Sequence, residues 1–363
     1  MAGGAPARYW HRVDTERIGC DLCPRRCHLR DGQRGYCFVR RNTGGSMELT
    51  AYGRTSGFQM DPIEKKPLYH VAPGSRVLSF GTVGCNLRCR FCQNWELSTA
   101  RAMEAMAGRA TPTQIADAAR AAGCLGVAYT YNDPIVFAEY AIDTAVACRD
   151  LGLANIAVTA GYIEPAPRRD LFAVMDAANI DLKAFTAGFY RRVTGGRLAT
   201  VLETLEFAVH ESPAWVEVTT LVIPGFNDSP REVRELTRWV AGHLGPDVPL
   251  HFSAFHPAAR MRDVPPTPVA TLNRARDIAR EAGLRYVYLG NVHTDDGGTT
   301  LCPHCHGALV ERRGYAIVGY RLTADGRCPD CATRIPGRWG EGSGGREWGA
   351  GWGGPGVRAG GRV

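Results

Sequence analysis

The chain has 363 residues, 45% hydrophobic and 22% charged, which supplies apolar material for a sizeable core and excludes wholesale disorder. Forty-three basic against 36 acidic residues leave a net charge of +7, far from the dense basic stripe of a dedicated nucleic-acid binder, so nucleic acid is not expected as a partner. Asp133, Glu139, Asp143, Arg149 and Asp150 interrupt the apolar stretch around Leu125 to Val158 before the ~20 residues of a membrane span, and Met1 to Val13 has no signal-peptide core, so a soluble cytoplasmic protein is expected.

Of the 13 cysteines, eleven fall into three groups. In a long chain without a secretion signal, thiols stay reduced and such groups point to metal rather than disulfides. The first group, Cys20, Cys23, Cys27 and Cys37, belongs to a small N-terminal module over residues 1–48. Its C-x2-C-x3-C-x9-C spacing suits zinc, or alternatively an auxiliary iron–sulfur cluster, and spacing does not choose between them. The surrounding arginines, Arg17, Arg25, Arg26, Arg30, Arg34, Arg40 and Arg41, read as a solvated face.

Residues 49–296 form the expected core. Short runs rich in β-branched residues at Arg76–Phe80, Leu125–Thr130, Asn155–Thr159, Asn179–Leu182, Trp215–Ile223, Leu250–Ala254 and Arg285–Leu289 read as strands. Helical segments separate them: Thr111-Pro112 is a helix start, and Val233, Leu236, Trp239, Val240 and Leu244 make one buried stripe within Pro230–Leu244. Alternation of this kind predicts an α/β fold with a parallel sheet, open or curled into a partial barrel, whose chemistry lies in loops at the C-terminal ends of the strands.

The segment Gly81-Thr-Val-Gly-Cys85-Asn-Leu-Arg-Cys89-Arg-Phe-Cys92-Gln-Asn-Trp95 follows the first of these strands. Three thiolates from eight residues of one loop can wrap one face of an iron–sulfur cube and leave the fourth iron open to a substrate or cofactor. An open catalytic zinc site is the alternative, but it would have to use cysteine alone, without His or Glu beside it. Cys124 and Cys148 are single and read as small buried side chains.

Cys302, Cys305, Cys328 and Cys331 form two C-x2-C knuckles around a strand at Tyr315–Tyr320. This is the pattern of a zinc-ribbon-like module, placed at residues 297–339, with structural zinc as the expected metal and His304 and His306 as bystanders. Residues 340–363, dominated by glycine, are expected to be disordered.

Cysteine spacing and Phe91 before the last cysteine of the loop resemble the signature of the radical S-adenosylmethionine (radical SAM) superfamily. Further segments narrow the likeness: Cys20-Asp-Leu-Cys-Pro24, Asp61-Pro-Ile-Glu-Lys-Lys-Pro-Leu-Tyr-His70, Tyr129-Thr-Tyr-Asn-Asp-Pro134, Val222-Ile-Pro-Gly-Phe-Asn-Asp228 and Phe255-His-Pro257. Together they resemble the radical SAM component of the AmmeMemoRadiSam system, related to activating enzymes of glycyl-radical enzymes such as pyruvate formate-lyase.

That resemblance implies a partial (β/α)6 barrel, a [4Fe-4S] cluster on Cys85, Cys89 and Cys92, and S-adenosylmethionine (SAM) chelated to the unique iron. Reductive cleavage would give a 5′-deoxyadenosyl radical for hydrogen abstraction. It also implies SAM contacts from Phe91, Asn132, Asp133, Asp181, Lys183 and His256, with loop packing, a turn, an ion pair and a capping histidine as the plainer readings of the same residues. Aspartate at 133 is one methylene shorter than the glutamate of the related Asn-Glu-Pro motif. The implied partners are an electron donor such as flavodoxin or ferredoxin and a protein substrate, or Memo-like and AMMECR-like proteins. A radical SAM enzyme acting on a small molecule or RNA, and a non-enzymatic iron–sulfur carrier or adaptor, are the alternative functions.

Overall fold

The computed structural model describes residues 4–102 and 108–339; the tail expected to be disordered lies outside the described residues. Strand β1 (Phe58–Pro62) runs antiparallel along the edge of a sheet whose other seven strands are parallel. These are β2 (Arg76–Phe80), β3 (Gly126–Tyr129), β4 (Ala154–Thr159), β5 (Ala177–Asp181), β6 (Trp215–Val222), β7 (Leu250–Ala254) and β8 (Val287–Gly290). They pair in sequence order, so each crossover delivers the chain to the next strand. Phe80, Tyr129 and Ala157 align across β2, β3 and β4, and the segments leaving these strands therefore emerge along one edge.

Local signals set the helices of the crossovers. Helix α1 (Pro112–Ala121) begins with a capping box in which the Thr111 side chain and Gln114 satisfy each other's backbone N–H groups. Helix α2 (Ala138–Asp150) follows β3, α3 (Pro165–Phe172) follows β4 and α4 (Leu198–His210) follows β5. Helix α5 (Pro230–Trp239), capped by Ser229, buries Val233 and Leu236, and a wider turn over Val240–Leu244 continues the same buried stripe. Helix α6 (Val269–Glu281) leads into β8. No described helix is long and apolar enough to cross a membrane.

The N-terminal module makes two small antiparallel sheets, one from Trp10–Arg12, Arg17–Cys20 and His28–Arg30, the other from Ala5–Pro6, Arg40–Thr43 and Ser46–Leu49. At the other end of the chain, β9 (Thr300–Leu301), β10 (Ala308–Arg313) and β11 (Ala316–Tyr320) form a three-stranded sheet.

This C-terminal sheet seats against the beginnings of the core strands. Arg312, buried on β10, donates to the Tyr69 carbonyl at 2.6 Å and to the Gly298 carbonyl at 3.0 Å. Glu217, near the start of β6, accepts from the backbone N–H groups of Tyr69 and His70 and pairs with His251 of β7 at 2.6 Å. His70 joins the two bodies: Nδ1 meets the Pro336 carbonyl and Nε2 meets the Tyr288 hydroxyl, each at 2.6 Å. Since a carbonyl only accepts, the proton belongs on Nδ1 and the neutral ring accepts at Nε2.

Burial lowers the His70 pKa from 6.5 to about 4, with Glu217 opposing it. The unfolded chain therefore binds the extra proton first, and native stability is full above pH 6.5 and lost as pH falls toward 4. The expected loss is about 3 kcal/mol. Urea unfolding at a series of pH values should show this slope in the wild type and a flatter one in His70→Gln; identical slopes would remove His70 as the cause.

Candidate cluster and cofactor site

The loop from Gly81 to Asn94 leaves the C-terminal end of β2 and is tied down by segments that leave its neighbours. After β3, Asn132 Nδ2 donates to Thr82 Oγ1, the Val83 carbonyl and the Gly84 carbonyl, while its Oδ1 accepts from the Thr82 N–H. After β4, the Tyr162 carbonyl accepts from Asn86 Nδ2 at 2.7 Å. After β5, the carbonyls of Val193 and Thr194 accept from the N–H groups of Arg90 and Arg88 at 2.9 Å. After β7, the Arg260 N–H donates to the Arg90 carbonyl at 2.8 Å. Four strand ends thus fix one cysteine loop.

Gly84 makes the approach of the N-terminal module possible. Its φ is +80°, and a Cβ there would lie 1.9 Å from the Cys37 carbonyl oxygen. A left-handed L-residue costs about 1–2 kcal/mol before any clash. Gly84→Ala is expected to destabilise the protein by more than about 2 kcal/mol and to lower the iron retained by the loop, read from thermal melts and iron analysis after desalting. An unchanged melt would mean that the module moves away freely.

Cys85, Cys89 and Cys92 are half-buried. Cys85 Sγ accepts from the Leu87 N–H at 3.4 Å, and Cys92 Sγ lies 3.2 Å from Ser98 Oγ. Burial pushes the Cys89 thiol up to about 12 against the pull of Lys183, and burial likewise raises Cys85. A metal must displace those protons, which makes this a thiolate site only when occupied. The three sulfurs are not drawn within 4.8 Å of one another, a distance met among the described residues by one cysteine group, the C-terminal four. Wider spacing fits a cube, in which each thiolate attaches to a different iron.

Lys183 lies beside this loop. Its Nζ is 2.6 Å from Asp181 Oδ2 and 5.8 Å from the centre of the Phe91 ring. Burial works against its charge, yet Asp181 and Cys89 raise its pKa above the ordinary lysine value. Phe91 is buried, with its ring 6.0 Å from that of Phe189. The Tyr190 hydroxyl accepts from the Lys183 N–H.

Asp133 is buried and accepts from the N–H groups of Ile135 and Ala160 and from the Thr159 hydroxyl. Burial raises its pKa while those donors hold it down, and in this arrangement it ties the ends of β3 and β4 together. Asn132 spends its amide on the cysteine loop, as described above. His256 is exposed, its Nε2 3.1 Å from the Asn291 carbonyl. Asp61, on β1, holds Lys66 and the Tyr131 hydroxyl, fastening the sheet edge to the loop after β3.

The C-terminal cysteines form a tight group, with Cys302 and Cys331 sulfurs 3.5 Å apart and those of Cys305 and Cys328 3.6 Å apart. All four lie within 4.8 Å of one another and could hold a metal ion. Contacts with Thr333, whose hydroxyl lies 3.2 Å from the sulfur, and with its backbone pull Cys331 down to about 5.

Composition and spacing do not reveal the buried pair Arg40–Glu139, whose members are 99 residues apart, nor the tyrosine at 190 behind Lys183. The Asn86 clamp stands within the cysteine motif itself, which is the one sequence signal available for it.

Residues 80–237 match the Radical SAM superfamily. Over 330 residues it is 40% identical to the uncharacterized protein MJ0808 of Methanocaldococcus jannaschii, covering 91% of this chain and 98% of the archaeal protein. Among solved structures it is similar to a domain of pyruvate-formate lyase-activating enzyme from Bacteroides vulgatus, at 15% identity and TM-score 0.41, over 46% of this chain and 99% of that one. It is also similar to a radical SAM methyltransferase from Sphaerobacter thermophilus, at 15% identity and TM-score 0.45, over 80% and 77% of the two chains.

Proposed function

We propose that the protein is a radical SAM oxidoreductase that cleaves SAM reductively and uses the product for hydrogen abstraction, in the manner of glycyl-radical activating enzymes. The observation that carries this reading is the three-cysteine loop fastened at the ends of four strands, with the Lys183–Asp181 pair against it. Cys85, Cys89 and Cys92 would hold the [4Fe-4S] cluster. A cluster so held supplies, with SAM bound, the electron that breaks a carbon–sulfur bond of the sulfonium and yields methionine and a 5′-deoxyadenosyl radical.

The chain's own task is binding, orientation and exclusion of water. Lys183 offers a held positive charge to the carboxylate of SAM, and Asp181 keeps that ammonium in place. Phe91 offers an aromatic face to the adenine. Asn132 positions the loop backbone ahead of Cys85, Asp133 stands as an acceptor toward the SAM ammonium, and His256 stands at the rim toward the ribose. The sheet curled as a partial (β/α)6 barrel would enclose these groups. The sequence motifs support a place in the AmmeMemoRadiSam system, with flavodoxin or ferredoxin as reductant, cytoplasmic residence, and a protein substrate or Memo-like and AMMECR-like partners.

The test is anaerobic incubation with dithionite and SAM, in which 5′-deoxyadenosine forms. Its absence from protein with a fully reconstituted cluster would end the enzyme reading. Deuterium carried into 5′-deoxyadenosine from labelled candidates would then identify the hydrogen donor.

For the C-terminal group the sulfur spacing supports zinc. Zinc–sulfur bonds of about 2.3 Å in a tetrahedron put the sulfurs about 3.8 Å apart, near the 3.5 and 3.6 Å observed. One zinc per chain should be lost in Cys302→Ser/Cys328→Ser, together with thermal stability, because the ion replaces a core in so small a module. Iron in its place would make this a rubredoxin-like site.

A further inference from the structure

The N-terminal cysteines do not form the tight tetrahedron of the C-terminal four. Cys20, Cys23 and Cys37 are buried and Cys27 half-buried, yet no three of their sulfurs are gathered within 4.8 Å of one another. They instead line a pocket walled also by Leu22, Tyr36, Asn86 and Val136. Zinc would need the sulfurs at about 3.8 Å from one another. A cube of iron and sulfide holds its thiolates farther apart, since the four attach to four separate irons.

Donors on the walls point the same way. Cys27 Sγ already receives the Tyr36 N–H at 3.4 Å. Beyond this, two guanidinium groups of the cavity wall keep a buried nitrogen without a hydrogen-bond partner among the described residues, Arg40 Nε and Arg25 Nη2. Buried polar atoms of this kind call for an acceptor. A zinc ion brings none, whereas the bridging sulfides of a cluster supply them, and hydrogen bonds to sulfur are among the levers that set cluster potentials.

The cavity abuts the catalytic loop. Asn86, adjacent to Cys85, forms part of its wall, and Arg25 Nε donates to the Asn86 carbonyl at 2.8 Å. The Cys37 carbonyl lies against Gly84.

We propose that Cys20, Cys23, Cys27 and Cys37 hold a four-iron, four-sulfide cluster rather than zinc, in a site that shares a wall with the Cys85 loop. The site stands on its own residues, whether or not the loop cleaves SAM. The test removes the loop ligands. Cys85→Ser/Cys89→Ser/Cys92→Ser, reconstituted anaerobically with ferrous iron and sulfide, should retain about four iron and four sulfide per chain and show an electron paramagnetic resonance signal after dithionite. A folded variant with zinc in both outer modules, or with neither metal in the N-terminal one, overturns the proposal. Where that variant does not fold, the wild type decides: about eight iron and one zinc per chain are expected, against about four iron and two zinc if the N-terminal site is a zinc site.

Discussion

Cys89→Ala should make no detectable 5′-deoxyadenosine, a loss of at least about a thousand-fold, or about 4 kcal/mol in the barrier. The size follows from the division of labour at the site: the side chains around the loop orient and shield, and no described side chain can itself deliver an electron to a sulfonium. Removing one of the three proposed ligands would leave a cube held at two corners, and Cys89 is the loop cysteine whose charge couples to that of Lys183. Product would be measured by chromatography after anaerobic incubation with dithionite and SAM, beside iron analysis of the same sample. Activity persisting in the variant would show that the loop does not carry the chemistry. Iron fully retained with activity lost would move Cys89 from ligand to positioning group.

The second large effect is on stability. Glu139, near the start of α2, accepts from both the Arg8 N–H and Arg40 Nη2, the latter at 2.5 and 2.6 Å. Arg40 is 1% and Glu139 4% exposed, so the pair is out of reach of solvent. Removing one partner of a buried pair strands the other charge, at a cost of about 3–5 kcal/mol. Glu139→Gln keeps the shape and deletes the charge, and chemical denaturation of anaerobically purified protein should register that loss. A change below about 1 kcal/mol would mean that water screens the guanidinium. The same contact joins the N-terminal module to the core, so proteolysis within residues 5–49 should accelerate in the variant.

Much of the core was legible because its signals are local. The seven apolar runs reappear as β2 to β8 with ends shifted by at most two residues, and Thr111-Pro112 and Ser229-Pro230 start helices through caps that reach only three residues along the chain. The three loop cysteines are legible for the same reason, since eight residues carry all three thiols. The strand at Tyr315–Tyr320 is one residue shorter in the structure, Ala316–Tyr320.

Periodicity, capping and cysteine spacing are encoded within a few residues of chain, and they fix the order of α and β elements and the three groups of cysteines. Tertiary structure alone decided what holds the loop, that Asp133 already has three donors, that Glu217, His70 and Arg312 seat the C-terminal sheet on the core, and how far apart each cysteine group stands. Spacing along the chain fixes which thiols can meet, but the distance at which they meet is set by segments remote in sequence. That distance is tight at Cys302 and open at Cys20.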